Sequence, residues 1–192
     1  MAHLFNRNIL VGISGGIAAY KSAELVRLLI KQGAGVRVIM TRGAMEFITP
    51  LTLQALSGNP VHTELLDAEA EQGMSHIELA RWADLLVIAP ATADLIARLA
   101  VGRADDLLTT VALAAAAPML LAPAMNQQMW RDQATCANIA TLAARDVAMV
   151  GPTAGEQACG DVGLGRMAEP PEITTAAARL FESGVLAGRR VV

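Results

Sequence analysis

The sequence is poor in cysteine and in long apolar runs, and these shortages exclude several classes of protein. Two cysteines, Cys136 and Cys159, support neither a disulfide framework nor a CxxC metal site, and no histidine pair has the spacing of metal ligands. No apolar run reaches the roughly 18 residues that a membrane span needs, and the N-terminus lacks the apolar core of a signal peptide. We therefore expect a cytoplasmic protein with no metal site and no membrane partner.

Charge is scarce as well, since only 17% of the 192 residues are charged whereas 54% are hydrophobic. The arginines and lysines are scattered along a chain of net charge −3, so there is no basic patch for nucleic acid. This composition fits extensive burial in the core, in an oligomer interface, or in both. The length predicts one domain with a full core.

Short apolar runs alternate with helical patterns, which is typical of a parallel, doubly wound α/β sheet in a single domain. We predict strands at 8–13, 36–40, 85–89, 119–122 and 147–150. We predict helices at 17–32, in one or two pieces at 42–57, from 94 to about 100, and at 107–116, 135–145 and 171–182. Residues 62–73 are polar and acidic, and we expect them to form a mobile connection.

The first predicted strand is followed by Ser14, Gly15 and Gly16 and then by a helix. Glycine there lets a ligand approach the backbone, and the helix start favours an anion such as phosphate. The pattern is neither G-x-G-x-x-G nor a Walker sequence, because Lys21 comes one helical turn too late, and we expect Lys21 to be a solvated helix charge. The second strand ends in Thr41, which either contacts a phosphate or caps the next helix.

Two further strand ends carry small and polar residues. The segment Ala-Thr-Ala-Asp at 91–94 places small side chains and one hydroxyl where a flat aromatic ring can lie against the backbone. The strand at 119–122 stops at Pro123 and is soon followed by Asn126. This amide either takes part in chemistry at the sheet edge or caps a helix.

Ser75 and Glu78 have the spacing of a capping box, which places His76 in the first turn of a helix. Because the positive end of the helix dipole disfavours imidazolium, His76 is either a neutral base or a surface histidine.

The two cysteines occupy different surroundings. The glycine-rich segment 151–167 is too polar for core, and we predict a flap over the site, with Cys159 as an exposed, reactive thiol. Cys136 lies in a predicted helix among alanines, and we expect a small buried hydrophobe.

Five separated segments, taken in order, resemble phosphopantothenoylcysteine decarboxylases, and in particular the N-terminal domain of the bacterial bifunctional coenzyme A biosynthesis proteins. They read VGISGGIAAYK at 11–21, SHIELARWAD at 75–84, APATAD at 89–94, PAMNQQMW at 123–130 and ACGDVGLGRM at 158–167. The resemblance covers about residues 6–182. It implies a Rossmann-like fold and membership of the homo-oligomeric, flavin-containing cysteine decarboxylases, with trimers that assemble into a dodecamer in bacterial relatives.

The resemblance implies FMN as the cofactor and 4'-phosphopantothenoyl-L-cysteine as the substrate. His76 matches the active-site histidine, Asn126 the asparagine that holds the substrate carboxylate, and Cys159 the cysteine that donates a proton late in the cycle. FMN contacts are implied for Ser14, Gly15, Gly16, Thr41, Ala91, Thr92 and Met125, and substrate contacts for Ala93, Asp94, Asn126 and Met129. Asp94 stands where many relatives have asparagine, so the role of this position stays open.

Removing CO2 from a cysteine carboxylate requires an electron sink. Pyridoxal phosphate would need a Schiff-base lysine, and neither Lys21 nor Lys31 has a supporting motif. Flavin offers another route, in which FMN oxidises the thiol to a thioaldehyde and CO2 leaves as an enethiolate forms. Reduced FMN then returns hydride to give 4'-phosphopantetheine, a step of coenzyme A biosynthesis.

We assign residues 1–183 to the FMN-binding decarboxylase domain. Residues 184–192 are interpreted as the start of a linker, or the first strand, of a C-terminal ligase domain, so we expect no ligase activity. Two alternatives stay open: a prenyltransferase acting on reduced FMN, and a non-catalytic flavoprotein that binds a phosphatase. The presence of both His76 and Cys159 favours the decarboxylase, whereas periodicity alone supports only a doubly wound domain of unknown ligand.

Overall fold

The computed structural model describes residues 4–65, 75–156, 160 and 162–182, and within these ranges six parallel strands form one sheet. The strands are β1 (Asn8–Ile13), β2 (Gly35–Met40), β3 (Val61–His62), β4 (Leu85–Ala91), β5 (Met119–Pro123) and β6 (Ala148–Met149). Their order is β3-β2-β1-β4-β5-β6, and every neighbouring pair is parallel. This is the strand order of a Rossmann-like, doubly wound sheet, as the sequence and the resemblance predicted.

Helices cover both faces of the sheet. In the described ranges they are α1 (Lys21–Lys31), α2 (Arg42–Met45), α3 (Pro50–Ser57), α4 (His76–Trp82), α5 (Ala93–Val101), α6 (Leu107–Ala114), α7 (Gln127–Arg131), α8 (Gln133–Ala143) and α9 (Pro170–Glu182). On one face α1 packs against α3 and α9. On the other face α4 packs against α6, and α5 packs against α6 and α8.

The central strands are apolar at successive positions because both of their faces are covered. In β1, Ile9 and Val11 belong to the core on the α1 side, whereas Leu10 belongs to the core on the α5 side. In β4, Val87 points to the first core and Ile88 to the second. The alternation of side chains along a strand thus explains why the sequence shows short continuous apolar runs.

The observed elements differ in detail from the predicted ones. The predicted helix at 17–32 begins with a 3-10 turn, Ile17–Tyr20, before α1. The predicted helix at 42–57 is two helices, with Pro50 as the first residue of the second, where its missing N–H is not needed. The edge strand β3 was not predicted, because two residues carry no readable periodicity.

The predicted flap at 151–167 contains regular structure. It forms an antiparallel hairpin of β7 (Thr153–Glu156) and β8 (Val162–Arg166). Cys159, the thiol predicted to lie in it, falls outside the described residues. Residues 184–192, interpreted above as a linker or a first strand, and residues 66–73 of the predicted mobile connection also fall outside them.

The expectation that Cys136 is buried is wrong. Cys136 lies in α8 and is exposed, with its Sγ atom 3.7 Å from the carbonyl oxygen of Trp130. The buried side of α8 carries Thr135 and Leu142, whereas Cys136 lies on a different, exposed side of the helix. Alanine recurs at positions 134, 137, 140 and 143 of α8, so the apolar pattern does not show which face of the helix is buried. Within the described ranges, no helix has the length and the apolar character needed to span a bilayer.

Candidate functional site

A cavity of about 530 Å³ opens at the carboxyl ends of the central strands, between β1 and β4. The chain leaves β1 toward β2 on one side and leaves β4 toward β5 on the other, so this is the point where the strand order reverses. Ligands of doubly wound proteins bind at such a crevice. This switch-point cavity is lined by Ser14, Gly15, Thr41, Arg42, Gly43, Thr92, Ala93, Asp94, Arg98, Asp106, Ala124, Met125 and Met129.

Two hydroxyls join the ends of β1 and β4 at the floor of this cavity. The Oγ of Ser14, a residue only 2% exposed, donates to the carbonyl of Pro90 at 2.7 Å and accepts from the N–H of Thr92 at 3.1 Å. The Oγ1 of Thr92 lies 3.2 Å from the same Ser14 oxygen and accepts from the N–H of Leu95, which caps α5. These bonds hold the strand ends and the start of α5 in one arrangement before any ligand binds.

Two glycines shape the wall next to Ser14. A Cβ atom on Gly15 would lie 2.6 Å from the carbonyl carbon of Gly43, so the two backbones are already in contact. Thr41, at the end of β2, accepts a hydrogen bond from Ala44 at 3.2 Å and caps α2. The cap predicted for Thr41 as one of two alternatives is present, and the same residue lines the cavity.

Arg98 is an additional residue of the wall. Its Nη1 lies 2.7 Å from Asp106 and 3.1 Å from Asp105, and its Nε lies 3.1 Å from Asp94. Asp106 also caps α6 through the N–H of Thr109 at 2.8 Å. Burial by itself raises the pKa of Asp106, but the hydrogen bonds from Thr109 and Arg98 outweigh it and hold the pKa below its ordinary value.

Sequence analysis missed Arg98 and Asp106 because neither follows a strand directly. A usable signal was the spacing of Asp106 and Thr109, which form a capping box before the apolar run of α6.

A second cavity, of about 600 Å³, adjoins the first. Ala124 and Met125 line both cavities, and Asn126 lines the second beside them. This adjoining cavity is lined by Ile17, Ala18, Tyr20, Lys21, Ala124, Met125, Asn126, Glu156, Gly165, Arg166 and Met167.

Asn126 is oriented by its role as the N-cap of α7. Its Oδ1 accepts the N–H of Gln128 at 2.8 Å, so the cap predicted as an alternative is present. The Nδ2 group is the donor of this amide, and a donor is what a carboxylate requires. Next to it, the N–H of Met125 donates to the carbonyl of Gly165 at 3.0 Å, which ties the β7-β8 hairpin to the end of β5.

His76 is the first residue of α4, and the predicted capping box is confirmed. Ser75 Oγ accepts from the N–H of Glu78 at 3.3 Å, and the N–H of Ser75 donates to Glu78 Oε2 at 2.7 Å. The backbone hydrogen bond from Ser75 lowers the pKa of Glu78. His76 lines neither cavity, although α4 packs against α6, whose cap Asp106 lines the switch-point cavity.

The structure brings many of the predicted site residues together. The wall of the switch-point cavity contains Ser14, Gly15, Thr41, Thr92, Ala93, Asp94, Met125 and Met129, and the adjoining cavity contains Asn126. Gly16 and Ala91 line neither cavity, since Ala91 is fully buried in β4 and Gly16 lies beside the Thr92 methyl group. Cys159 lies outside the described residues. The roles of these residues stay predictions.

Comparison with known proteins adds independent information. Residues 2–182 match the family described as Flavoprotein. The chain is 59% identical over 192 residues to the coenzyme A biosynthesis bifunctional protein CoaBC of Vibrio cholerae, of which the match covers 48%. The chain therefore spans about half the length of the curated relatives that it matches.

Two solved structures share the fold over nearly their whole length. A PPC decarboxylase mutant complexed with pantothenoylaminoethenethiol is 32% identical, with a TM-score of 0.80 over 93% of this chain and 99% of that chain. The FMN binding protein AtHal3 is also 32% identical, with a TM-score of 0.78 over 93% of this chain and 98% of that chain.

Proposed function

The chain belongs to the Flavoprotein family, and from this membership we propose that it is an FMN-dependent decarboxylase. Its substrate is 4'-phosphopantothenoyl-L-cysteine, and its products are 4'-phosphopantetheine and CO2, as a step of coenzyme A biosynthesis. The observation that carries the proposal is the pair of adjoining cavities, with Asn126 beside the residues that line both. The first cavity suits a phosphorylated planar cofactor, and the second suits an elongated substrate whose carboxylate reaches Asn126.

The switch-point cavity fits FMN in shape and in chemistry. Its volume of about 530 Å³ lies within the range of roughly 300–1,000 Å³ that small-ligand sites occupy. Gly15 and Gly43 bring two stretches of backbone into contact in the wall, so no side chain of either residue stands between a phosphate and the backbone near Ser14 and Thr41. Thr92, Ala93 and Met125 would hold the ring, because their small or apolar side chains leave room for a flat surface.

The names of similar proteins support the substrate as well as the cofactor. The curated relatives are coenzyme A biosynthesis bifunctional proteins, and the solved neighbours include a PPC decarboxylase. The ligand of that neighbour is named as an ethenethiol. An enethiol is the compound that this scheme predicts between loss of CO2 and return of hydride.

Bound FMN supplies an electron sink that accepts two electrons from the substrate and later returns them, which makes the cycle redox-neutral. Asn126 donates from Nδ2 to the substrate carboxylate and holds it in place until CO2 leaves. Its orientation is set in advance, because Oδ1 is engaged with the N–H of Gln128. Cys159 supplies the late proton, and His76 assists as a base or by positioning.

We propose in addition that the active unit is a cytoplasmic homo-oligomer, with trimers assembled into a dodecamer. Ile17 and Tyr20, which line the adjoining cavity, are 62% and 60% exposed in the single chain. Large apolar side chains at the mouth of a cavity favour coverage by another subunit. Sites formed between subunits would account for the position of His76 outside both cavities of its own chain.

A charge exchange at Asn126 tests its proposed role. Asn126→Asp keeps the helix cap, since aspartate caps as well as asparagine does, but it replaces the Nδ2 donor by a negative charge. We expect the rate of CO2 release from FMN-loaded protein to fall by about 100-fold or more, because a hydrogen bond to a charged group is lost and repulsion is added. Asp132→Asn, at the cap of α8, is the matched control and should retain the wild-type rate.

Subunit mixing tests the shared site. His76→Asn and Asn126→Asp should each be inactive as pure proteins, whereas co-expressed hybrids should regain part of the activity. Hybrids in which the two variants co-purify without any CO2 release would contradict a site formed between subunits. Light scattering on the purified protein gives the assembly size in the same samples.

A further inference from the structure

Two cationic side chains line the adjoining cavity, and neither has been assigned a contact with the cofactor or with the substrate carboxylate. Lys21 and Arg166 both line it, and both interact with Glu169. Lys21 Nζ lies 2.6 Å from Glu169 Oε1, and Arg166 Nη2 lies 3.5 Å from the same oxygen. The expectation that Lys21 is a solvated helix charge is wrong, because its side chain is only 11% exposed.

Three separate elements hold this cluster in position. Lys21 begins α1, Arg166 ends β8, and Glu169 precedes α9, where its N–H donates to Glu172 Oε2 at 2.8 Å. Arg166 lies across the backbone of Gly155, since a Cβ atom there would be 2.8 Å from both Cδ and Nη1 of the arginine. The two cations are therefore placed by the fold rather than by flexible surface loops.

The charges of the cluster favour an anion. Two cations share one carboxylate, which leaves one positive charge in excess on these three side chains. Glu156 also lines the cavity and follows Gly155, whose backbone the Arg166 side chain crosses. Among the described residues, however, the carboxylate within ion-pair distance of Lys21 and Arg166 is that of Glu169.

We propose that Lys21 and Arg166 bind the phosphate at the far end of the substrate. This inference rests on the proposed function, because it assigns binding residues to the second anionic group of the same substrate. The substrate carries a carboxylate at one end and a phosphate at the other. In the adjoining cavity, Asn126 would bind the carboxylate next to the switch-point cavity, and Lys21 and Arg166 would bind the phosphate. A lysine near a phosphate acts as a point charge, and an arginine adds paired hydrogen bonds.

The experiment compares two substrates that differ only in the phosphate. CO2 release is measured with 4'-phosphopantothenoylcysteine and with its dephosphorylated form, for FMN-loaded wild-type protein and for Lys21→Gln and Arg166→Gln. We expect each variant to raise KM for the phosphorylated substrate by about tenfold or more, the effect of about 1.4 kcal/mol of lost binding, with kcat nearly unchanged. KM for the dephosphorylated substrate should stay within about threefold of wild type.

Two further variants separate charge from fold. Lys31→Gln removes the other lysine of α1, which is exposed at the opposite end of the helix, and should leave both KM values unchanged. Lys21→Arg keeps the charge and should recover most of the affinity for the phosphorylated substrate. The FMN content and melting temperature of every variant are recorded to verify folding.

The outcomes distinguish the two proposals. Equal KM changes for both substrates, or no change for either, would overturn the phosphate subsite while leaving the decarboxylase intact. Wild-type protein with bound FMN that releases CO2 from neither substrate would overturn the proposed function itself, and the subsite with it. Titration of 4'-phosphopantetheine by calorimetry gives a binding readout independent of turnover, and its affinity should fall in Lys21→Gln.

Discussion

Gly15 and Gly43 contact each other backbone to backbone, so that a Cβ atom on Gly15 would lie 2.6 Å from the carbonyl carbon of Gly43. The contact joins the turn after β1 to the first turn of α2, and both glycines line the switch-point cavity. Backbone cannot move aside as the end of a side chain can. The shape of the wall at which phosphate would bind therefore depends on the absence of a side chain at residue 15.

Gly15→Ala should weaken FMN binding by about tenfold or more, since the added methyl group must displace the backbone of Gly43 and deform the wall. Gly16→Ala is a matched control at the neighbouring position. A Cβ atom on Gly16 would contact only the Thr92 Cγ2 atom, at the van der Waals distance of 3.4 Å. Its FMN affinity should stay within about threefold of wild type. Quenching of flavin fluorescence during titration of the apoprotein measures the FMN affinity of both variants. Equal losses of affinity in the two variants would refute this account of the wall.

Arg98→Gln should destabilise the fold by about 1–2 kcal/mol, between the values for surface and for buried ion pairs, because three carboxylates lose their shared cation. The melting temperature should fall by about 2–8 °C. FMN affinity should fall as well, since Asp94 and Asp106 line the same cavity.

Arg103→Gln is the control for this change. Arg103 pairs with Asp105 at 2.7 Å, but its side chain is 65% exposed. Its removal should change stability by less than about 0.5 kcal/mol. Equal melting temperatures for the two variants would show that the Arg98 cluster adds nothing beyond a surface pair.

His62 should make the protein less stable in mild acid. Burial in the edge strand β3, and then the nearby charge of Arg37, lower the pKa of His62 below its ordinary value of 6.5. Its Nε2 is buried and lacks a hydrogen-bond partner among the described residues. Below pH 6.5 the unfolded chain therefore binds a proton more readily than the folded one, and stability falls as pH decreases toward the folded pKa.

The test compares the melting temperature of wild type and His62→Gln at pH 7.5 and at pH 5, values chosen on either side of about 6.5. The decrease in melting temperature from pH 7.5 to pH 5 should be smaller in His62→Gln than in wild type, whatever the effect of the substitution at pH 7.5. An identical drop would mean that His62 does not contribute to acid lability.

The residues that follow strands were predictable from sequence, and the reason is topological. Ser14, Thr41 and Thr92 each come directly after an apolar run, and in a parallel sheet such positions meet at one edge. The capping box that positions His76 was readable because its partners are three residues apart.

Contacts between distant segments were not readable in the same way. Lys21 and Glu169 are 148 residues apart, so no local pattern shows that the lysine is paired and largely buried. Arg98 lies on the second turn of α5, where an arginine usually indicates a solvated helix face. The surroundings of both side chains are set by other elements that pack against them. That packing depends on the whole fold and not on a local sequence pattern.

The most direct test of the central claim is the release of CO2 from carboxyl-labelled 4'-phosphopantothenoyl-L-cysteine by purified protein, with FMN bound and with FMN removed. The account predicts several turnovers per FMN without any added oxidant, 4'-phosphopantetheine as the product, and no release from the stripped protein until FMN is restored. FMN-loaded protein that releases no labelled CO2, or stripped protein that releases it equally fast, would contradict the account.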